Sequence, residues 1–352
     1  MKAAMWYGQK DIRVVDVPEP SSPQEGWVKI KVEWAGICGS DLHEYVAGPV
    51  FIPTTEPHPL TGAKAPLILG HEFSGTIVEV GEGVTNLKVG DQVAPDACQV
   101  CWECYWCKRN EYNNCEKLAM TGLQTTGCFA EYINLPAYTC FKIPEGLSME
   151  EAALVEPISV GMHAVRIAPV VEGDNVVIIG AGTIGLSALQ NAKAAGASQV
   201  IVVEMAKARK EFAKKLGATS ILDPNKEDVA AKVFELTDNV GADVTIECVG
   251  NNSAASMAIA TTRRAGTAVV CGVYEKPVTI DLLDVMFKSK KIQGSLGYNG
   301  EFAPVMKMLR DGRLQAKPMI TGRIKLDDIV EKGFKELIEH KDENIKIIIS
   351  PK

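Results

Sequence analysis

The run Val176-Val177-Ile178-Ile179-Gly180-Ala181-Gly182-Thr183-Ile184-Gly185 limits the folds open to this chain more than any other stretch. An apolar strand passes through G-x-G-x-x-G into an alanine-rich helical stretch, which is the strand-turn-helix form of a dinucleotide site. Gly180 permits the tight turn, Gly182 lets backbone approach a pyrophosphate, and Gly185 allows the helix to pack closely on the strand. Thr183 and Ile184 then open a helix whose N-terminus faces the phosphates. Further apolar runs at 200–203, 244–246 and 268–270, separated by alanine-rich helical stretches, predict a parallel, doubly wound sheet. Glu204 stands nineteen residues after Gly185, at the end of the second strand. A carboxylate there accepts from the adenosine ribose hydroxyls and repels a 2′-phosphate, so NAD is expected rather than NADP. Lys207 and Arg209 act against that repulsion, and Arg209 either lies over the ribose or solvates its helix. Val249, Val273 and Leu296 follow later strands, where this fold presents residues to the nicotinamide.

A second constraint is Cys101, Cys104, Cys107 and Cys115, spaced C-x2-C-x2-C-x7-C. Two-residue gaps let neighbouring thiolates converge on one zinc ion, and the return loop brings the last cysteine to close the tetrahedron. Four thiolates leave no open position, so this zinc is structural and the chemistry lies elsewhere. Cys98 is a fifth candidate that can compete for the metal, and Trp102, Tyr105 and Trp106 either shield it or meet another subunit. Half of the ten cysteines crowd into residues 98–115, unlike the dispersed pairs of a secreted scaffold, so a reducing cytoplasm is expected. Cys128, Cys140, Cys248 and Cys271 read as small buried hydrophobes, and His58, His163 and His340 as structural or surface residues. No apolar run approaches the ~18 residues of a membrane span, and the N-terminus lacks the apolar core of a leader. A net charge of -7 without a basic cluster argues against a nucleic-acid partner, since Lys288, Lys290 and Lys291 are too short a run to track a phosphate backbone.

The first 150 residues alternate apolar and polar positions, as at Val28, Ile30, Val32 and Trp34, and are punctuated by Gly81-Glu82-Gly83 and Val89-Gly90-Asp91. They predict a β-rich lobe. Within it, Gly36-Ile37-Cys38-Gly39-Ser40-Asp41-Leu42-His43-Glu44 and Gly70-His71-Glu72-Phe73 gather a thiol, imidazoles, carboxylates and a hydroxyl, and Glu156 precedes Pro157 in an otherwise apolar stretch. Cys38, His71 and one carboxylate make a three-ligand zinc site with a position left for substrate.

These segments, in this order and over essentially the whole chain, resemble the zinc-dependent medium-chain alcohol dehydrogenases. The stretch from His43-Glu44-Tyr45 through Gly48-Pro49-Val50-Phe51-Ile52-Pro53 to Pro57-His58-Pro59-Leu60 further resembles the 2,3-butanediol dehydrogenases. That extended segment is either a loop that shapes the substrate pocket or a tolerated surface insertion. The resemblance implies a GroES-like catalytic domain at 1–155 with a zinc lobe at 98–115, a Rossmann NAD-binding domain at 156–299, and a return to the catalytic domain at 300–352. It implies Cys38 and His71 as ligands of the catalytic zinc, with either Glu72 or Glu156 as the third. Asp41 is implied to hydrogen-bond His71, and Ser40 and His43 to form a proton relay. The implied reaction moves a hydride between NAD(H) and a secondary alcohol or ketone, foremost 2,3-butanediol and acetoin, in a homodimer or homotetramer. A polyol such as sorbitol, or threonine, is the alternative substrate. The reading from another class is a non-catalytic NAD-binding redox sensor, which would hold about one zinc per chain rather than about two.

Overall fold

The computed structural model describes residues 1–351, which fold as two compact units. One comprises Met1–Glu156, Phe302–Asp311 and the chain from Ile320 on, and the other Pro157–Glu301 with Gly312–Met319.

The second unit is built on six parallel strands: β1 (Asn175–Ile179), β2 (Gln199–Val203), β3 (Ser220–Leu222), β4 (Ala242–Glu247), β5 (Thr262–Val270) and β6 (Lys291–Gly294). Their order is 3-2-1-4-5-6, so the strand order reverses beside β1, where a doubly wound sheet opens a crevice for ligand. The central strands are apolar on both faces because helices cover both. Val177, Ile201 and Val233 are fully buried, and each such side chain contributes about 1.5–3 kcal/mol. The two edge strands have no counterpart in the sequence reading. β3 is only three residues long, and every residue of β6 is exposed, so neither carries the apolar run that marks a covered strand. Gly312–Met319 is tied to this unit by Gln190, whose amide exchanges hydrogen bonds with the Gln315 backbone at 2.7 and 3.2 Å.

The first unit is β-rich. Its largest sheet runs Cys140–Lys142, Gln92–Pro95, Glu72–Val80, Trp27–Gly36, Lys346–Ser350 and Ile320–Lys325, with Tyr132–Pro136 also paired to Trp27–Gly36. Val28, Ile30 and Val32 point into a core that includes Trp6, Phe73, Phe129 and Phe334. Lys346–Ser350 is the last strand of the chain, and the helical stretch at 326–340 that precedes it is broken. It consists of a 3-10 turn, Leu326–Asp328, a π-helical stretch, Ile329–Lys335, and a short α-helix, Glu336–Glu339. Gly333 lies in the wide middle section, where a Cβ would come 2.7 Å from the Ile37 side chain, so close packing on the sheet sets the local winding.

In the second unit the turn after β1 leaves no room for side chains. A Cβ on Gly185 would collide with the Gly180 carbonyl, and one on Gly180, at φ +92°, would lie 2.6 Å from Val249. Gly185→Ala is therefore expected to cost about 1–3 kcal/mol through overpacking. A lower urea midpoint with an unchanged slope, together with weaker NADH binding, is the expected outcome.

Candidate active site

Cys38 stands two positions beyond the strand Trp27–Gly36 and caps the helix Gly39–Ala47. Its backbone N–H donates to Asp41 Oδ2 at 2.9 Å, which draws the Asp41 carboxylate back over the helix start. Ser40, Asp41 and His43 follow on the first turns. Glu72 opens the neighbouring strand, Glu72–Val80, and His71 stands between it and Gly70. Gly70 has a φ of +94°, and a Cβ there would press into the Phe129 ring, so glycine is required for the chain to deliver His71. Gly36 lies opposite Glu72 in the sheet, and a Cβ on it would meet the Glu72 carboxylate.

Cys38, His71 and Glu72 converge so that one ligand atom from each lies within 4.8 Å of the others. Ser40 Oγ is 3.2 Å from His71 Nε2. The hydrogen bond expected from Asp41 to His71 is not formed. Asp41 Oδ1 stands 3.7 Å from His71 Nδ1, and both atoms are buried without another partner. Glu156, in the first turn of Val155–Ile167, is also buried but is not part of the converging triplet.

Lys346, which no motif in the sequence marks, completes the arrangement. It is 1% exposed and donates all three protons: to Ile37 O at 2.7 Å and to the two oxygens of Glu72 at 2.8 and 2.6 Å. Burial acts to lower its pKa, but the charges of Glu72 and Cys38 outweigh burial and hold it raised. Even so, acids outnumber bases. Burial, reinforced by Glu72, pushes the Cys38 thiol up to about 12. Burial likewise raises Asp41 despite His71, and lifts Glu156 well above the usual carboxylate range. A partly open thiol and three buried carboxyls facing one lysine and one imidazole form a site that a divalent cation would neutralise, and the sulfur, nitrogen and oxygen donors fit zinc.

The second cluster also fits zinc. Cys101, Cys104, Cys107 and Cys115 place their sulfurs within 4.8 Å of one another. Backbone N–H groups point at them, from Cys101 and Lys117 to Cys115 Sγ at 3.4 and 3.3 Å. N–H groups of Cys107 and Glu116 lower the Cys104 thiol to about 6, as suits a thiolate ligand. Cys98 is outside the group, on the short strand Cys98–Gln99. Trp102 packs edge-on against Tyr138 at 5.3 Å, while Tyr105 is 60% exposed.

The dinucleotide turn stands in the second unit. Helix α1 (Thr183–Ala194) starts at Gly182, with Thr183 and Ile184 in its first turn and Gly185 beneath the turn. Glu204 is buried at the end of β2, where its carboxylate accepts the Ala181 N–H at 2.8 Å and those of Met205 and Ala206 at 2.7 and 2.9 Å. It thus fastens the glycine turn to β2, a second duty the sequence did not show. Arg209, on Lys207–Lys215, brings its guanidinium to 3.9 Å from where a Gly182 Cβ would stand, over the turn rather than away from it. Val249, Val273 and Leu296 remain exposed beyond the ends of β4, β5 and β6. Sequence reading missed Glu247, the buried last residue of β4. Its carboxylate accepts the Val249 and Gly250 N–H groups at 2.6 and 2.8 Å and the Tyr274 hydroxyl at 2.6 Å, so it shapes both turns that carry Val249 and Val273.

Removing one member of the Lys346–Glu72 pair leaves the other buried and uncompensated. Lys346→Met is expected to cost about 3–5 kcal/mol in urea unfolding, and Glu72→Gln in the same chain to recover part of that loss.

Residues 24–145 match the alcohol dehydrogenase GroES-like domain, and residues 183–311 match the zinc-binding dehydrogenase domain. Over 353 residues the chain is 42% identical to (R,R)-butanediol dehydrogenase of Bacillus subtilis, covering all of both proteins. It is 36% identical over 338 residues to D-xylulose reductase A of Aspergillus oryzae, covering 94% of this chain and 91% of that one. The crystal structure of 2R,3R-butanediol dehydrogenase from Bacillus subtilis superposes with a TM-score of 0.93 at 41% identity, covering 100% of this chain and 99% of the other. With both domains matched in order and relatives aligned from end to end, the chain belongs to the zinc-dependent alcohol dehydrogenase family.

Proposed function

We propose that the protein interconverts 2,3-butanediol and acetoin with NAD(H). The observation that carries this reading is the end-to-end similarity to a butanediol dehydrogenase, together with the convergent Cys38, His71 and Glu72. Zinc held by these three residues supplies a Lewis acid that lowers the pKa of the alcohol, and NAD supplies the hydride acceptor. Glu72 is the preferred third ligand because it shares the triplet, and Glu156 is the alternate carboxylate. Lys346 orients Glu72 by binding both its oxygens. Asp41, facing His71 Nδ1, favours a proton on that nitrogen and leaves Nε2 free to ligate. Ser40 takes the alcohol proton and His43, one helical turn further on, passes it outward. Glu204 receives a ribose hydroxyl on the Oε2 lone pair its backbone partners leave, and the N-terminus of α1 receives the pyrophosphate. Val249, Val273 and Leu296 offer apolar and backbone contacts to the nicotinamide.

The protein is further proposed to act as a homo-oligomer in the reducing cytoplasm. All ten cysteines are free thiols, which suits that compartment. β6 ends its sheet, and beside it Leu282, Leu283, Met286 and Phe287 of the helix Leu282–Phe287 are exposed, Phe287 at 69%. An open strand edge flanked by apolar side chains fits a second copy of this chain. Ile292→Lys is expected to shift the protein toward monomer in sedimentation velocity, whereas an unchanged sedimentation profile would remove β6 from the interface.

The activity test is acetoin-dependent oxidation of NADH, measured against fructose, D-xylulose and NADPH on protein of known zinc content. Acetoin with NADH is expected to be the fastest pair, and fructose or xylulose turnover without acetoin turnover would transfer the protein to the polyol branch. Cys38→Ser should lose turnover and about one zinc per chain with the fold retained, whereas Cys107→Ser should lose stability first.

A further inference from the structure

Two thiols outside both metal clusters stand together at the cofactor end of the parallel sheet. β4 and β5 pair with Glu247 opposite Val270, so the next residues, Cys248 and Cys271, leave the two strand ends side by side. Neighbouring strands lie about 4.8 Å apart, within the Cα separation of about 4.4–6.8 Å that a disulfide needs. Both residues are held in place by backbone bonds, Cys271 N–H to Glu247 O at 2.9 Å and Cys248 N–H to Ile179 O at 3.0 Å. Cys128 and Cys140 are buried, as expected of small hydrophobes, but Cys248 and Cys271 are both partly open to solvent. The Cys271 side chain raises the Cys248 thiol well above the ordinary range, and the Cys248 side chain lowers Cys271, although burial and the Glu247 charge oppose the latter shift. Two thiols side by side let one sulfur attack an oxidant and the other resolve the product.

We propose that Cys248 and Cys271 are a peroxide-sensitive dithiol whose oxidation to a disulfide weakens binding of NAD(H). The Cys271 thiolate attacks hydrogen peroxide, the O–O bond breaks, and the departing hydroxide takes a proton to become water, leaving a sulfenic acid on Cys271. The Cys248 sulfur then attacks the sulfenic sulfur. The S–S bond forms, the S–O bond breaks, and hydroxide leaves with the Cys248 proton as a second water. Two thiols are oxidised and one peroxide is reduced to two waters.

The turns that follow these cysteines have no slack to absorb the shortened S–S distance. Val249 fills the space where a Gly180 side chain would stand, and a Cβ on Gly250 would collide with the Val273 carbonyl. Drawing the two sulfurs to about 2.0 Å therefore moves Val249 and Val273 together and presses on the Gly180 turn. The effect on cofactor rests on the reading of that turn as the NAD site.

The test treats zinc-replete protein with hydrogen peroxide, with and without NAD+. Alkylation and peptide mapping locate the disulfide, fluorescence titration gives NADH affinity, and zinc content is followed throughout. A Cys248–Cys271 link is expected to form before zinc is released, to weaken NADH binding about tenfold, to form more slowly with NAD+ present, and to be reversed by dithiothreitol. Cys248→Ser, with Cys271→Ala as the second variant in case the first fails to fold, should bind NADH normally before and after peroxide. Normal NADH binding with no link, or with a link that leaves affinity unchanged, overturns the inference alone. Failure of the reduced protein to bind NADH overturns the inference and the cofactor reading together.

Discussion

Around Cys38 and His71 the first unit buries more acid than base, and much of its local architecture serves that imbalance. The carboxyls of Asp41, Glu72 and Glu156 are withdrawn from water beside the partly open Cys38 thiol, and ionising Asp41, Glu156 and Cys38 there is costly. Lys346 offsets one charge, reaching Glu72 from a strand near the C-terminus, and Gly36 leaves the space in which the two meet. The remaining acids are held from ionising by burial, and a divalent cation fits there because its charge would offset that cost. The same withdrawal from water would strengthen the cation's pull on an alcohol oxygen.

The second unit uses buried carboxylates differently. Glu204 and Glu247 each end a parallel strand, and each is neutralised mainly by backbone N–H groups of the turn it organises rather than by a cation. Glu44 in the first unit follows the same principle. It is fully buried and accepts N–H groups from Val50, Phe51 and Ile52, holding the start of the extended segment that resembles the butanediol enzymes. Such carboxylates stiffen turns without filling them, which keeps the space beside the backbone open for ligand.

The glycine fingerprint, the cysteine spacing and the apolar runs were legible because each is local: the residues that must cooperate lie within a few positions of one another. β3 and β6 were not, since one is three residues long and the other exposed throughout. The broken winding of 329–335 was hidden for another reason, as it follows from Gly333 packing on Ile37. Among the site residues, Cys38, His71 and Glu72 advertise themselves by their glycine-flanked motifs, whereas Lys346 sits in an ordinary apolar strand and looks like any surface lysine. Cys248 and Cys271, twenty-three positions apart, read as isolated small residues until the strands align them.

The sequence by itself determined that the chain forms a parallel nucleotide-type sheet, a cysteine knuckle and a β-rich lobe carrying a thiol, an imidazole and carboxylates. Short-range spacing and periodicity encode those features directly. Only the tertiary structure decided that Glu72 joins Cys38 and His71, that Lys346 neutralises it across 274 positions, and that Glu204 and Glu247 brace the turns that follow β1 and β4. Those outcomes depend on which groups are brought together away from water. Burial and charge pairing act through space, and residue spacing along the chain does not record them.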